Sequence, residues 1–177
     1  LHRFDITGTG TATYLASALL LTRDGRELLV GSASGVGICS LPEVHPCRLL
    51  REGNGLADDD VHSLFEDREG SFWIGSEGGL SRLVRRDLRS YGEAEGLPDR
   101  QVYALAADGA GGIWVGTTSG LGHLSFGPHG EPSARVWKRD AGLAANWVWA
   151  LLRSRRGELW VGTEEGLSRL LPSGRFE

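Results

Sequence analysis

Short apolar runs recur along the chain, each the length of a strand and each bounded by glycines. The clearest is Ser71-Phe72-Trp73-Ile74-Gly75-Ser76-Glu77-Gly78-Gly79-Leu80, with variants at Gly112 to Leu121 and Glu158 to Leu167 and a degraded copy at Leu28 to Val36. The glycines that close these runs, Gly31, Gly75, Gly116 and Gly162, are spaced by 44, 41 and 46 residues. Self-similarity at such a period marks a repeat array. Each unit reads as strands in series. An apolar strand (Ala18 to Leu21, Val61 to Phe65, Val102 to Ala106, Val148 to Leu152) leads through a tight turn into the tryptophan strand. The turns carry Asp24-Gly25, Asp67 to Gly70, Asp108-Gly109 and Arg155 to Gly157. A further glycine (Gly35, Gly79, Gly120, Gly166), suited to a positive φ, opens the third strand. A variable outer strand (Pro46 to Leu50, Leu88 to Tyr91, Ala134 to Lys138) and a Gly-Leu linker (Gly55-Leu56, Gly96-Leu97, Gly142-Leu143) complete the unit.

Successive side chains on a strand alternate in direction, so Phe72 and Ile74 point one way and Trp73 the other. Each unit is thus apolar on both faces and has to be covered on both. Stacked sheets satisfy that requirement, and the expected fold is an all-β β-propeller of about four four-stranded antiparallel blades. Trp73, Trp114 and Trp160 read as inter-blade packing residues beside Gly75, Gly116 and Gly162, and Leu29, in the tryptophan's place in the first unit, predicts a looser seam there. The divisions are 1–16 (edge of a preceding blade and a loop), 17–57, 58–98, 99–145 and 146–177, the last incomplete. An open arc is expected rather than a closed ring. Gly174 to Glu177 begins an outer strand of its own, and Leu1 to Ile6 resembles the outer part of an earlier blade.

Charge narrows the partners. A net charge of -4 over 177 residues leaves no basic footprint for nucleic acid. No apolar run approaches the roughly 20 residues that span a bilayer, so no membrane contact by this segment is expected. Cys39 and Cys47 are either a disulfide across a hairpin or two reduced thiols, with a metal site through His45 a weak third reading. Asp58-Asp59-Asp60 reads as solvated linker carboxylates before a calcium site. No nucleophile triad, Walker loop, dinucleotide loop or HExxH is present, and neither catalytic residue, metal nor cofactor is expected.

What remains is a binding surface. Loops entering the first strand and loops between the second and third strands share one face of a propeller, and here they differ between units while strand residues repeat. The candidate ligand-binding residues there are Asp60, Glu77, Gln101, Thr118, Asn146, Trp147, Trp149 and Glu164. Aromatic rings beside carboxylates and amides suit a sugar. Equally, Trp149 aligns with Tyr103 and His62 and would then fill space near the axis.

The stretches Gly96-Leu97-Pro98 through Leu105 and Asp67 through Leu80 resemble the two-component regulator propeller repeat, and the resemblance extends over 17–171. It implies the sensor region of a bacterial hybrid histidine kinase or diguanylate cyclase, in the periplasm. It also implies seven-bladed rings, so that further blades of the same receptor are partners, with a receptor dimer and a small-molecule or oligosaccharide ligand. A quinoprotein dehydrogenase, a glycosidase-like enzyme and a protein-interaction scaffold are the alternatives.

Overall fold

The computed structural model describes residues 15–42, 47–84, 87–171 and 174–177. Three four-stranded antiparallel sheets follow one another: β1 (Ala18–Leu21) to β4 (Cys47–Leu50) through β2 (Glu27–Ser32) and β3 (Gly35–Ser40); β5 (Val61–Glu66), β6 (Phe72–Ser76), β7 (Gly79–Val84) and β8 (Asp87–Tyr91); β9 (Val102–Ala107), β10 (Ile113–Thr117), β11 (Gly120–Phe126) and β12 (Pro132–Trp137). A fourth sheet holds β13 (Val148–Arg153), β14 (Leu159–Thr163) and β15 (Gly166–Leu170), and Phe176 bridges to Leu170 on its outer side. Within each sheet strands pair in chain order, and the inner strands β1, β5, β9 and β13 pack side by side in sequence. These are blades of a propeller arranged in an arc. Leu1 to Ile6, the expected remnant of an earlier blade, lie outside the described residues.

Two turns set the blade. At the first, Thr22, Asp67, Asp108 and Ser154 use their side-chain oxygens to accept the backbone N–H of Glu27, Ser71, Gly112 and Glu158 respectively. The turn acceptor of the fourth unit is therefore Ser154, not a residue within Arg155 to Gly157, and in the first unit it is Thr22 ahead of Asp24-Gly25. A hydroxyl reaches the same N–H as a carboxylate, so composition alone hides the equivalence. At the second turn, Ser32, Ser76, Thr117 and Thr163 donate to the carbonyls of Gly35, Gly79, Gly120 and Gly166.

The linkers are not irregular. Each forms a 3-10 turn, Glu52–Asn54, Glu93–Glu95 and Arg139–Ala141, ended by Gly55, Gly96 and Gly142 at φ 110, 96 and 102. That left-handed stop is glycine's to make, and it turns Leu56, Leu97 and Leu143 into the seams, where they are buried.

Three apolar clusters sit between successive blades. Their common device is a valine of one blade seated on a glycine of the blade before. A Cβ on Gly31 would lie 2.8 Å from Val61 Cγ1, one on Gly75 2.5 Å from Val102 Cγ1, and one on Gly116 2.6 Å from Val148 Cγ1. Trp73 and Trp114 are buried, but Trp160 is only half-buried because among the described residues no further blade covers the far face of its own. Leu29 is 0% exposed and shares a cluster with Val61 and Ile74, so the first seam is not loose: smaller side chains fill it.

Cys39 and Cys47 stand opposite each other on β3 and β4 with Cα atoms 4.2 Å apart, and they are joined by a disulfide. His45 lies outside the described residues. Closing a loop this short removes unfolded-state entropy worth about 2–3 kcal/mol. Reduction with dithiothreitol should lower the urea unfolding free energy by that amount; an unchanged midpoint would show the bridge to be thermodynamically idle.

Candidate functional site

The inner strands of the second, third and fourth blades each carry a β-bulge. Val61 pairs with Ser76 and Ser63 with Gly75, leaving His62 unpaired. Tyr103 and Trp149 are left out in the same way, between Val102 and Ala104 and between Val148 and Ala150. Bulges re-aim a side chain out of the sheet's alternation. Here three of them bring their aromatic rings together along the arc's inner edge. His62 and Tyr103 stack at 4.6 Å between centroids, Tyr103 meets Trp149 edge to face at 5.2 Å, and Trp147 stacks on Trp149 at 4.3 Å. Trp149 is 46% exposed, and the Trp147 Nε1 is buried with no hydrogen-bond partner among the described residues.

Glu77 closes the other end of this row. Its carboxylate accepts from His62 Nε2 at 3.0 Å, from Tyr103 Oη at 3.0 Å and from the Gln101 amide, so one blade's hairpin is tied to the next blade's inner strand. Burial pushes the Glu77 carboxyl up, but hydrogen bonds from Gln101, Tyr103 and His62 outweigh it and hold it below the usual carboxylate range. Burial and the Glu77 carboxylate together push the Tyr103 phenol up, so it stays a donor.

A carboxylate whose folded pKa is depressed stabilises the fold above its unfolded value, and that contribution is lost as the pH falls through the folded value. Glu77→Gln should therefore destabilise the protein at pH 7, with the difference from the parent shrinking as the pH falls below the ordinary glutamate value of about 4.3. Parallel pH-stability curves for the two proteins would refute this assignment of Glu77.

The other candidates are placed differently. Thr118 and Ser119 donate to Asp99 Oδ2 at 2.7 and 2.6 Å, and Asp99 Oδ1 accepts from the Gln101 N–H at 3.1 Å. Burial raises Asp99, but these bonds hold its carboxyl low, so Thr118 supports a loop. Asn146 Oδ1 accepts from the Arg139 N–H at 2.8 Å, as Asp59 Oδ1 does from the Glu52 N–H at 2.7 Å; both cap a 3-10 turn and neither reaches the aromatic row. Asp60 accepts the Glu77 N–H through its carbonyl, while Asp58 Oδ1 takes the Asp60 N–H at 2.8 Å, so the acidic run is turn structure in part. Glu164 is exposed, at the place in its blade that Glu77 holds. His62 and Tyr103 belong to the site although neither stood among the candidates. Their alignment with Trp149 was the available signal.

Three two-component regulator propeller repeats match the chain, at residues 55–78, 96–119 and 142–165. The fold recurs in the extracellular domain of the hybrid two component system BT3049 from B. thetaiotaomicron, at TM-score 0.78 and 22% identity over 92% of this chain and 22% of that one. It recurs also in the extracellular domain of the hybrid two component system BT4673 from the same organism, at TM-score 0.81 and 22% identity over 97% of this chain and 26% of that one. Virginiamycin B lyase from Staphylococcus aureus shares it too, at TM-score 0.72 and 16% identity over 98% of this chain and 57% of that one. The chain thus spans about a quarter of the two-component extracellular domains it matches. No curated protein sequence matches it.

Proposed function

We propose that these blades are a non-catalytic, ligand-sensing segment of a bacterial extracytoplasmic signal-transduction receptor, and that the ligand, an oligosaccharide or another small molecule, binds on the axial face. The aromatic row carries the reading. Bulges in three successive blades converge on one surface, where Trp149 presents an open ring beside the buried N–H of Trp147. Stacking faces with nearby polar groups suit a sugar's alternating C–H and hydroxyl surfaces.

The repeats and the two-component extracellular domains that share the fold support sensing. The lyase shows that the same fold serves catalysis, so the decision rests on the site. Glu77, the carboxylate in the row, has three donors and a lowered pKa, the opposite of a general acid. The disulfide supports an oxidising, periplasmic location.

Further blades of the same receptor are the partners this reading requires. The outer face of the fourth blade carries an apolar cavity of about 410 Å³ lined by Ala150, Leu151, Leu152, Trp160, Gly162 and Leu167. In the three formed seams a valine of the next blade sits on the glycine that corresponds to Gly162.

Calorimetric titration of the protein and of Trp149→Ala with a panel of oligosaccharides of differing sugar composition tests the assignment. At least one member should bind the parent and lose affinity at least about tenfold in the variant. Binding that is indifferent to Trp149→Ala, or absent across the panel, would remove the axial face as a sugar site.

A further inference from the structure

A second cavity opens at the opposite end of the inner strands, between the third and fourth blades. It measures about 340 Å³, within the range of small-molecule sites, and lies between the Asp108 turn and the Ser154 turn. Tyr103 lies at the start of β9 and Asp108 just past its end, so this cavity and the aromatic row are on different faces of the arc. The inference does not depend on the axial reading.

The preceding seam shows how such a space is normally closed. There the Trp73 indole N–H donates to Asp67 Oδ2 at 2.9 Å, and the Arg82 guanidinium lies over Trp73 and Phe126 at 4.8 and 5.2 Å from their centroids. Phe126 reaches across from the third blade to cover Trp73. In the next seam the arginine's place on the strand is taken by His123, paired across β10–β11 with Trp114 as Arg82 is with Trp73. His123 Nε2 engages Asp108 Oδ2 at 2.8 Å, and Asp108 Oδ1 accepts from the N–H of Ala110 and of Gly112 at 2.6 and 2.9 Å. His123 thus holds the carboxylate oxygen that in the preceding seam takes the indole N–H. The Trp114 indole N–H finds no acceptor among the described residues, and Trp114 lines the cavity.

The opposite wall brings Arg153 and Arg156, whose guanidinium groups also have no acceptor among the described residues. Gly109, at φ 84, lets Arg153 lie across the turn: a Cβ there would collide with the guanidinium. Glu158, the other acid of the wall, is taken by Ser154 Oγ at 3.2 Å and Arg169 at 3.4 Å. What is left over includes the Trp114 N–H and two cationic forks that match a carboxylate. Leu159, Leu170 and the Trp114 ring make the remainder apolar. We propose that this seam binds a small monocarboxylate with an aromatic or other apolar body, the carboxylate on Arg153, Arg156 and the Trp114 N–H, the body against Leu159 and Leu170.

Indole resonances in ¹H–¹⁵N spectra read this directly, since the chain has 6 tryptophans and Trp114→Phe assigns the one concerned. Phenylacetate is the probe, with 2-phenylethanol as its neutral counterpart and inorganic phosphate as the bare anion. The Trp114 resonance should shift saturably with phenylacetate and respond at least about tenfold more weakly to the alcohol and to phosphate. Arg153→Gln with Arg156→Gln should weaken the phenylacetate titration about tenfold while the unshifted resonances report an intact fold. A Trp114 resonance unmoved at about 10 mM phenylacetate overturns the proposal. So does an equal response to the alcohol, or saturation by phosphate alone. Shifts confined to Trp147 and Trp149 would assign the binding to the axial face instead and equally refute this site.

Discussion

Trp73→Ala is expected to lower the unfolding free energy by about 3–5 kcal/mol. Three losses coincide at that position. The side chain is 1% exposed, so its removal opens a cavity against Tyr91 and, from the next blade, Phe126, whose ring centroids lie 6.2 and 5.6 Å away. Asp67 loses the indole donor at 2.9 Å, and Arg82 loses the ring it lies over. Urea unfolding measures the cost, and Trp160→Ala is the internal control. Trp160 has Arg169 over its ring but, among the described residues, no blade against its outer face, so its removal leaves a dent, not a void, and should cost less than about half as much. Equal costs would mean that Trp73 stabilises its own blade and not the seam.

Gly75→Ala should destabilise by about 1–3 kcal/mol, although alanine suits a strand better than glycine does. The new methyl would sit 2.5 Å from Val102 Cγ1 and 3.1 Å from the Val102 carbonyl oxygen, and closer still to Ser63 Oγ. Val102→Ala removes the first of these obstacles. A double-mutant cycle should therefore show a favourable coupling of about 0.5–3 kcal/mol between the two substitutions. At Gly162 the corresponding methyl would meet only Ala150, its nearest atom 3.4 Å away, so Gly162→Ala should stay within about 0.5 kcal/mol of the parent. A neutral Gly75→Ala, or strict additivity with Val102→Ala, would show that the valine does not seat on the glycine.

The architecture was legible because each cue was local and repeated. Trp-x-Gly on the second strand, the glycine that opens the third and the Gly-Leu pair recur at fixed offsets, and steric rules tie each to one conformation. The axial row was harder to read. Whether His62, Tyr103 and Trp149 continue a strand or bulge out of it depends on a cross-strand register that no residue type announces. Asn146 and Thr118 misled for a related reason. An amide or hydroxyl in a loop can face a ligand or satisfy its own backbone, and here Arg139 N–H and Asp99 claim them. The exchange of Arg82 for His123 was visible in the repeat alignment, but its effect on Trp114 needed the distances around Asp108.

Each seam also has a direction. The valine always projects backward from the inner strand of the later blade, and the glycine always waits on the earlier one, so the contact is heterologous and cannot be made by two identical faces related by a twofold axis. In the first blade the position that corresponds to Val61 is Ala16, since Ala18 pairs with Gly31 as Ser63 pairs with Gly75. Two copies of this chain laid head to tail would thus meet Gly162 with an alanine, which lacks both γ-methyl groups of the valines that fill the internal seams. A blade whose first strand opens with valine would fill the same surface more completely than such a copy.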